Sequence, residues 1–383
     1  MQQIKNAFIY LDYNATTPVA PEALVEMMPY LQAEFGNPSS GYSLGMRAKE
    51  GVEQARREIA SLIKCRPDEV VLTSGGSESN NTVLKGLIDF KYPEKYHIIT
   101  SAVEHPAILN PVLFLMELGV NVTILPVDRF GRVDPESVRH AILPGTTLIS
   151  IMLANNETGT LQPIKEISRI ARQYGVAVHT DAAQAVGKTG VDVHELGVDF
   201  LTVAGHKLYA PKGIGALYVR DGRNISPLIH GAGQEFGKRA GTENVIFAAG
   251  FGAACRVAKI RLQQDIREMT LLRDRLQESL FAELDELILN GHPEERLPNT
   301  LNISVPGIEG SKILKALPNL LASTGAACHD QAVKLSHVLS AMSVPPEIGM
   351  GALRFSVGRS NTMEQIEEAA QRISDQVKTI RGA

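Results

Sequence analysis

Between about residues 45 and 220 the chain alternates two hydrophobic patterns. Val52, Ala55, Ile59 and Leu62 recur at the spacing of a half-buried helix, which predicts a helix over 47–63. The run "EVVLTS" then reads as a strand and "ESNNTVLKGLIDF" as a helix over 78–90. Further strands are predicted at "HIITS", "VTILPV", "TLISIML", "VAVHTD", "FLTVA" and "GALYVR". Between them lie helical patterns such as "PIKEISRIARQYG", with Pro near its start and Gly past its end. Near-continuous apolar strands separated by helices predict a mostly parallel sheet covered on both faces.

Beyond residue 255 the pattern changes. Val257, Ile260, Ile266, Met269, Leu276 and Leu280 form a stripe that predicts a long amphipathic helix over 256–284. It leads into a smaller α+β unit with strands at "TLNISVPG" and "ALRFSVG" and a closing helix over 363–380. A chain of 383 residues readily divides in this way.

Composition adds exclusions. Hydrophobic residues make up 44% and charged residues 21%, with a net charge of −4, which gives no sign of a nucleic-acid or membrane surface. Three separated cysteines, Cys65, Cys255 and Cys328, argue against a disulfide framework and for a reducing, cytoplasmic setting. The opening "MQQIKNAFIYLDYN" has no signal-peptide core, and no apolar run is long enough for a membrane span.

Several polar clusters fall at strand ends, where open α/β sheets bind ligands. "TSGGSESNN" follows a strand and opens a helix, so Gly75, Gly76 and Ser77 can cradle a phosphate. The same cluster matches neither GxGxxG nor a P-loop, nor GxSxG, because Ser79 takes the last glycine position. Asp181 ends "VHTD" with Gln184 three residues on, and Lys207 follows "FLTVAGH". Each has an ordinary reading alone: a capping turn, a helix-capping aspartate, a surface lysine. Together they supply what pyridoxal 5'-phosphate needs, a lysine for its Schiff base, a carboxylate for its ring nitrogen and a helix N-terminus for its phosphate. His105, after "HIITS", offers a flat ring to lie over the cofactor.

Across nearly its whole length the chain resembles the class V, fold-type-I pyridoxal-phosphate enzymes of the cysteine desulfurase and selenocysteine lyase group. The resemblance rests on "YLDYNATTP", "GNPSS", "TSGGSESNN", "VEHPAI", "NNETGT", "HTDAAQAVGK", "GHKLYAPKGIGALYV", "RAGTEN", "GAACH" and "ALRFSVGR". It implies a large cofactor-binding domain over 17–255 and a small domain formed by 1–16 and 256–383 that carries an active-site cysteine loop. It also implies that Lys207 is the Schiff-base lysine and acid/base, that Asp181 keeps the ring nitrogen protonated, and that Gln184 bonds the ring hydroxyl. His105 would stack on the ring, Gly76, Ser77 and His206 would hold the phosphate, and Thr242 would reach it from the partner subunit of a homodimer. Arg354 would clamp the substrate carboxylate, with Asn156 assisting and Asn14 near the substrate. No metal is implied. Where many relatives of this kind carry a phosphate-binding serine, this chain has Ala204.

The resemblance also gives Cys328 a place. Its thiolate would face the substrate and remove the chalcogen, with His329 beside it. Cys65 and Cys255, within helical patterns, read as structural. "GAACH", "GNPSSGYSLG", "IMLANNETG" and the non-serine at 204 are similar to selenocysteine lyases, which favours L-selenocysteine as substrate; the alternative is a cysteine desulfurase that carries a persulfide on Cys328 for an acceptor protein. An aminotransferase would share the lysine, aspartate and arginine without needing Cys328. A non-catalytic delivery scaffold would need no intact cofactor site.

Overall fold

The structure, a computed structural model, describes residues 8–324, 326–329 and 332–382, the side chains of residues 326–329 and 332–334 excepted. Fifteen strands run in chain order through the described residues. The first eight are β1 (Ile9–Tyr10), β2 (Val70–Thr73), β3 (His97–Ser101), β4 (Asn121–Leu125), β5 (Thr146–Ser150), β6 (Ala177–Asp181), β7 (Phe200–Ala204) and β8 (Gly215–Val219). The helices among and after them are α1 (Pro21–Gln32), α2 (Ser43–Ile63), α3 (Gly76–Gly86), α4 (Pro106–Glu117), α5 (Pro135–Ala141), α6 (Ile164–Gln173), α7 (Val193–Leu196) and α8 (Val245–Glu283).

Seven of these strands make one sheet in the order β2-β8-β7-β6-β5-β3-β4. The pairs from β7 through β4 are parallel, whereas β8 runs antiparallel to both β7 and β2. The reason is the length of the connection: only residues 205–214 separate β7 from β8, too few for a crossover helix. Side chains alternate across the sheet. Ile99, Val178 and Leu201 pack with α2, α6 and α8, while their neighbours Ile98, Ala177 and Phe200 pack with α3 and α4. Both faces are therefore covered, as the apolar strands predicted.

The remaining strands are β9 (Ile288–Leu289), β10 (Thr300–Ser304), β11 (Leu320–Leu321), β12 (Ser323–Thr324), β13 (Ala326–His329), β14 (Ala332–Leu335) and β15 (Ala352–Ser356). A second sheet has the order β12-β15-β10-β9 and is antiparallel throughout. The helices α9 (Gly310–Lys315), α10 (His337–Ala341), α11 (Pro346–Gly349) and α12 (Met363–Gly382) complete the chain. Leu353 and Phe355 of β15 share a core with Leu276 and Leu280 of α8 and with Ile366, Ile373 and Val377 of α12. β1 pairs in parallel with β11, so residues 9–10 lie beside the second sheet.

Several boundaries differ from the sequence-based expectation, each for a physical reason. α8 begins at Val245 rather than 256. Its first turns are buried all round, so they lack the one-sided stripe by which a surface helix is read: a Cβ on Gly252 would meet the Ala55 backbone at 2.6 Å. Ile260, expected in the apolar stripe, is 78% exposed, because it lies where the helix passes from one core to the other, between Ala258 and Met269. α3 starts at Gly76 and stops at Gly86, short of the predicted 90. Among the described residues, no helix is long and apolar enough to cross a membrane.

Candidate active site

Four parallel strands deliver the site. At their carboxyl ends stand His105 after β3, Asn156 after β5, Asp181 at the end of β6 and Lys207 after β7. With the N-terminus of α3 and Arg354 of β15 they line one cleft of about 400 Å³, within the usual range for a small-molecule site. Asn14, Gly76, Ser77, Gln184 and His206 line it too. The cleft thus gathers the predicted residues, with two exceptions. Thr242 is exposed in a separate hollow beside Arg239 and Gly213. The side chains of Cys328 and His329 lie outside the described residues; the backbone places Cys328 on β13 opposite Val333 of β14, in a hairpin that follows β12.

The floor is built on Asp181. Its Oδ1 accepts from the Ala183 N–H at 2.9 Å and its Oδ2 from Asn80 Nδ2 at 2.7 Å. Both oxygens are thus used as acceptors, the role of an ionised carboxylate. Asn80 was not foreseen; it stands in "SESNN" one turn after Ser77 and turns toward Asp181 only once α3 is laid across β6. Its Oδ1 is buried without a protein partner.

Lys207 enters from the opposite side. Its Nζ donates to the carbonyls of Asn14 (2.5 Å) and Ala15 (2.8 Å). Burial, and after it the Arg354 charge, pulls its pKa down to about 8, against the attraction of Asp12 and Asp181. His206, next in the chain, faces Thr16 Oγ1 at 3.1 Å and is pushed down to about 4 by burial and by the neighbouring lysines. His105 caps α4, its Nδ1 accepting from the Ala107 N–H at 3.0 Å; that nitrogen carries no proton, and burial lowers the ring's pKa further.

The phosphate end is made by the strand-to-helix turn. Gly75 has φ +149°, a conformation open to glycine, and leads into α3, whose N-terminus has no side-chain cap. A Cβ on Gly76 would lie 3.4 Å from the Ala204 methyl, so residue 204 does stand at this turn and offers no hydroxyl there.

At the other end Arg354 donates through Nη1 to the Asn156 carbonyl (3.1 Å) and through Nη2 to Asp12 Oδ1 (2.6 Å). Its Nε is buried without a partner. Asp12 is a second residue not singled out, although it stands within "YLDYNATTP". Glu104 is a third. It is fully buried, accepts from Ser101 Oγ and the Met152 N–H, and burial pushes its pKa up to about 8. Cys255 is buried and Cys65 packs against the main core, and burial raises both thiols, to about 12 for Cys65.

A lysine, a carboxylate with both oxygens engaged, a helix N-terminus and a guanidinium converging on one cleft fit pyridoxal phosphate with an amino acid. Residues 9–368 match the family described as aminotransferase class-V. Proteins named cysteine desulfurase IscS are similar: 46% identical from Dictyoglomus turgidum, over 97% of this chain and 96% of that protein, and 44% from Methanosarcina thermophila, over 98% and 94%. A solved structure titled NifS-like protein superposes with a TM-score of 0.91 at 35% identity, covering 97% of this chain and all of that one. Another, SspA in complex with cysteine, gives 0.81 at 36% identity over 92% and 99%. The chain belongs to the class-V aminotransferase family. Its fold is that of the fold-type-I enzymes, and its cofactor is pyridoxal 5'-phosphate.

Proposed function

We propose that the protein is a cysteine desulfurase, converting L-cysteine and its own Cys328 thiol into L-alanine and a Cys328 persulfide. The observation that carries this is the placement of Lys207, Asp181 and Arg354 around one cleft, with the Cys328 hairpin following the strand β12 whose Ser323 pairs with Arg354. The names of the similar proteins favour sulfur over the selenium preference that the "GAACH" run suggested.

Pyridoxal phosphate, when bound, supplies an electron sink that acidifies the Cα–H of an attached amino acid. Gly76, Ser77 and His206 would hold its phosphate, Asp181 the proton on its ring nitrogen, Gln184 its phenolic oxygen and His105 the face of its ring. Arg354 binds the substrate carboxylate, assisted by Asn156, with Asn14 near the substrate. Lys207, whose lowered pKa leaves an appreciable neutral fraction near neutral pH, takes the proton from the substrate Cα. The Cys328 thiolate attacks the substrate Sγ. The S–S bond forms as the Cβ–Sγ bond breaks, the electron pair stays with the carbon skeleton, one proton adds at Cβ, and Lys207 returns another to Cα, which completes L-alanine. The sulfane sulfur on Cys328 then passes to an acceptor protein.

In this reading residues 17–255 form the cofactor domain, and 1–16 with 256–383 the smaller domain. The exposed Thr242 lies outside its own cleft because it serves the phosphate of a second copy in a homodimer. The test is alanine formation from L-cysteine and from L-selenocysteine as kcat/KM in one buffer, for the holoenzyme and Cys328→Ala. Comparable rates on both substrates, with cysteine turnover lost in the variant, are expected. A preference for selenium of several hundredfold would replace this reading with a selenocysteine lyase.

A further inference from the structure

Behind the cleft lies an amine that the chemistry above does not use. Lys188 is 5% exposed and forms no ion pair among the described residues. Burial, then Lys207 and Arg354, holds its pKa well below the ordinary lysine range. Its Nζ donates to two amide oxygens, Gln184 Oε1 at 2.8 Å and Asn14 Oδ1 at 3.1 Å.

Those two contacts determine the orientation of both amides. A primary amide has nearly identical ends, and only its hydrogen bonds decide which end faces where. With Oε1 held by Lys188, Gln184 turns Nε2 forward, where one N–H reaches the Asn14 carbonyl at 2.9 Å and the second is left for the cleft. The same Asn14 carbonyl accepts from Lys207 Nζ. Asn14 Oδ1 also receives Asn299 Nδ2 at 3.0 Å, so its own Nδ2 turns to Thr300 Oγ1 at 2.8 Å. The turn after β6 makes this possible: the Val186 and Lys188 N–H groups bond back to the Ala182 and Ala185 carbonyls, which brings Lys188 under Gln184.

We propose that Lys188 is a positioning residue that locks the Gln184 amide with its N–H toward the cofactor. The site thereby presents a fixed donor, never a carbonyl, to the cofactor's phenolic oxygen and favours that oxygen in its ionised form. This rests on the role proposed for Gln184, and not on whether the substrate carries sulfur or selenium.

The experiment is therefore run without any amino acid. The visible absorbance of the bound cofactor is titrated with pH in the wild type, Lys188→Met, Gln184→Leu and the double variant, with the melting temperature of each recorded. Other groups facing this part of the site, Lys207, His206, His105, Arg354, Asp12 and Asp181 in the cleft and Tyr13, Tyr209, Asp265 and Arg359 in the hollow behind Lys188, are the same in all four. Lys188→Met is expected to raise the spectral midpoint by about one pH unit, the scale of one lost hydrogen bond to a charged form. It should add nothing further in the Gln184→Leu background. A midpoint unmoved by Lys188→Met with cofactor bound overturns the proposal. So does an equal shift in both backgrounds, which would mean Lys188 acts through its own charge. Lys188→Leu supplies the same comparison if the Met variant does not fold. If Gln184→Leu alone leaves the midpoint unmoved, the assignment of Gln184 itself falls.

Discussion

Arg354 reaches the cleft already holding a carboxylate, that of Asp12. An incoming amino acid therefore meets a guanidinium whose charge is partly answered. Asp12→Asn keeps an oxygen for Arg354 to bond and removes the negative charge that opposes the substrate. The expected outcome is a KM for L-cysteine about fivefold lower with kcat within about twofold, the scale of one partly solvated charge interaction of ~1 kcal/mol. Steady-state kinetics checks it, and a raised KM would show that Asp12 chiefly orients Arg354. Glu104 gives a second prediction. Its folded-state pKa lies near 8, above the ordinary carboxylate value, so the folded protein keeps a proton that the unfolded chain has already lost. Its contribution to stability is complete below pH about 4.5 and disappears as pH rises to about 8. Glu104→Gln cannot titrate, so its melting temperature should fall less between pH 5 and pH 9 than that of the wild type, by about 2 °C or more. The residues that could be read from the sequence, Lys207, Asp181, Gly76 and His105, all stand at the ends of apolar strands, where local pattern alone marks them. Asn80, Lys188 and Asp12 could not be read in this way. Their partners, Asp181, Asn14 and Arg354, are brought to them only by the completed packing.

Elements follow the same division. β3 and β7 coincide with "HIITS" and "FLTVA", because their short β-branched and apolar runs suit a strand buried on both faces. The first turns of α8 were hidden because a helix buried all round has no polar face to set its period. The return of β8 against β7 was hidden because strand direction leaves no mark in a periodic pattern; the short link decides it. That return matters at the site. A Cβ on Gly215, the first residue of β8, would lie 2.7 Å from the Gly75 Cα and equally close to the Val203 carbonyl. Both neighbours are backbone and neither can rotate away. Gly215→Ala is expected to push the turn before α3 outward, weakening pyridoxal phosphate binding at least about tenfold and destabilising the protein by about 1–3 kcal/mol. Equilibrium dialysis of cofactor and thermal melting measure the two effects. A variant with unchanged affinity would show that the phosphate turn does not depend on this close approach.

At the scale of the whole molecule, at least two segments connect the two cores. α8 contributes Ala248 to Ala258 to one and Met269 to Leu280 to the other. The second connector is the stretch from β1 to Thr17. Asn14 N–H bonds Ser356 Oγ, Asn14 Oδ1 meets Lys188 and Asn299, and the Thr17 N–H bonds the His206 carbonyl. The sequence-based division of the chain into 1–16 with 256–383 on one side and 17–255 on the other passes through both connectors. The carbonyls that hold Lys207 thus come from among the earliest residues of the chain, while Arg354, which bonds Asp12, comes from its last strand.

That ordering has a consequence for how the protein is made. Residues 9–14 are made some three hundred residues before their strand partners at Leu320–Leu321 and Ser356. The large sheet can assemble while synthesis continues, since its strands are complete by Val219. The carbonyls of Asn14 and Ala15 that hold Lys207, however, take up their positions only when the last strand has been synthesised. A nascent chain stalled before Ser356 would carry the lysine and the aspartate but no finished cleft, so a complete cofactor site waits for the synthesis of β15.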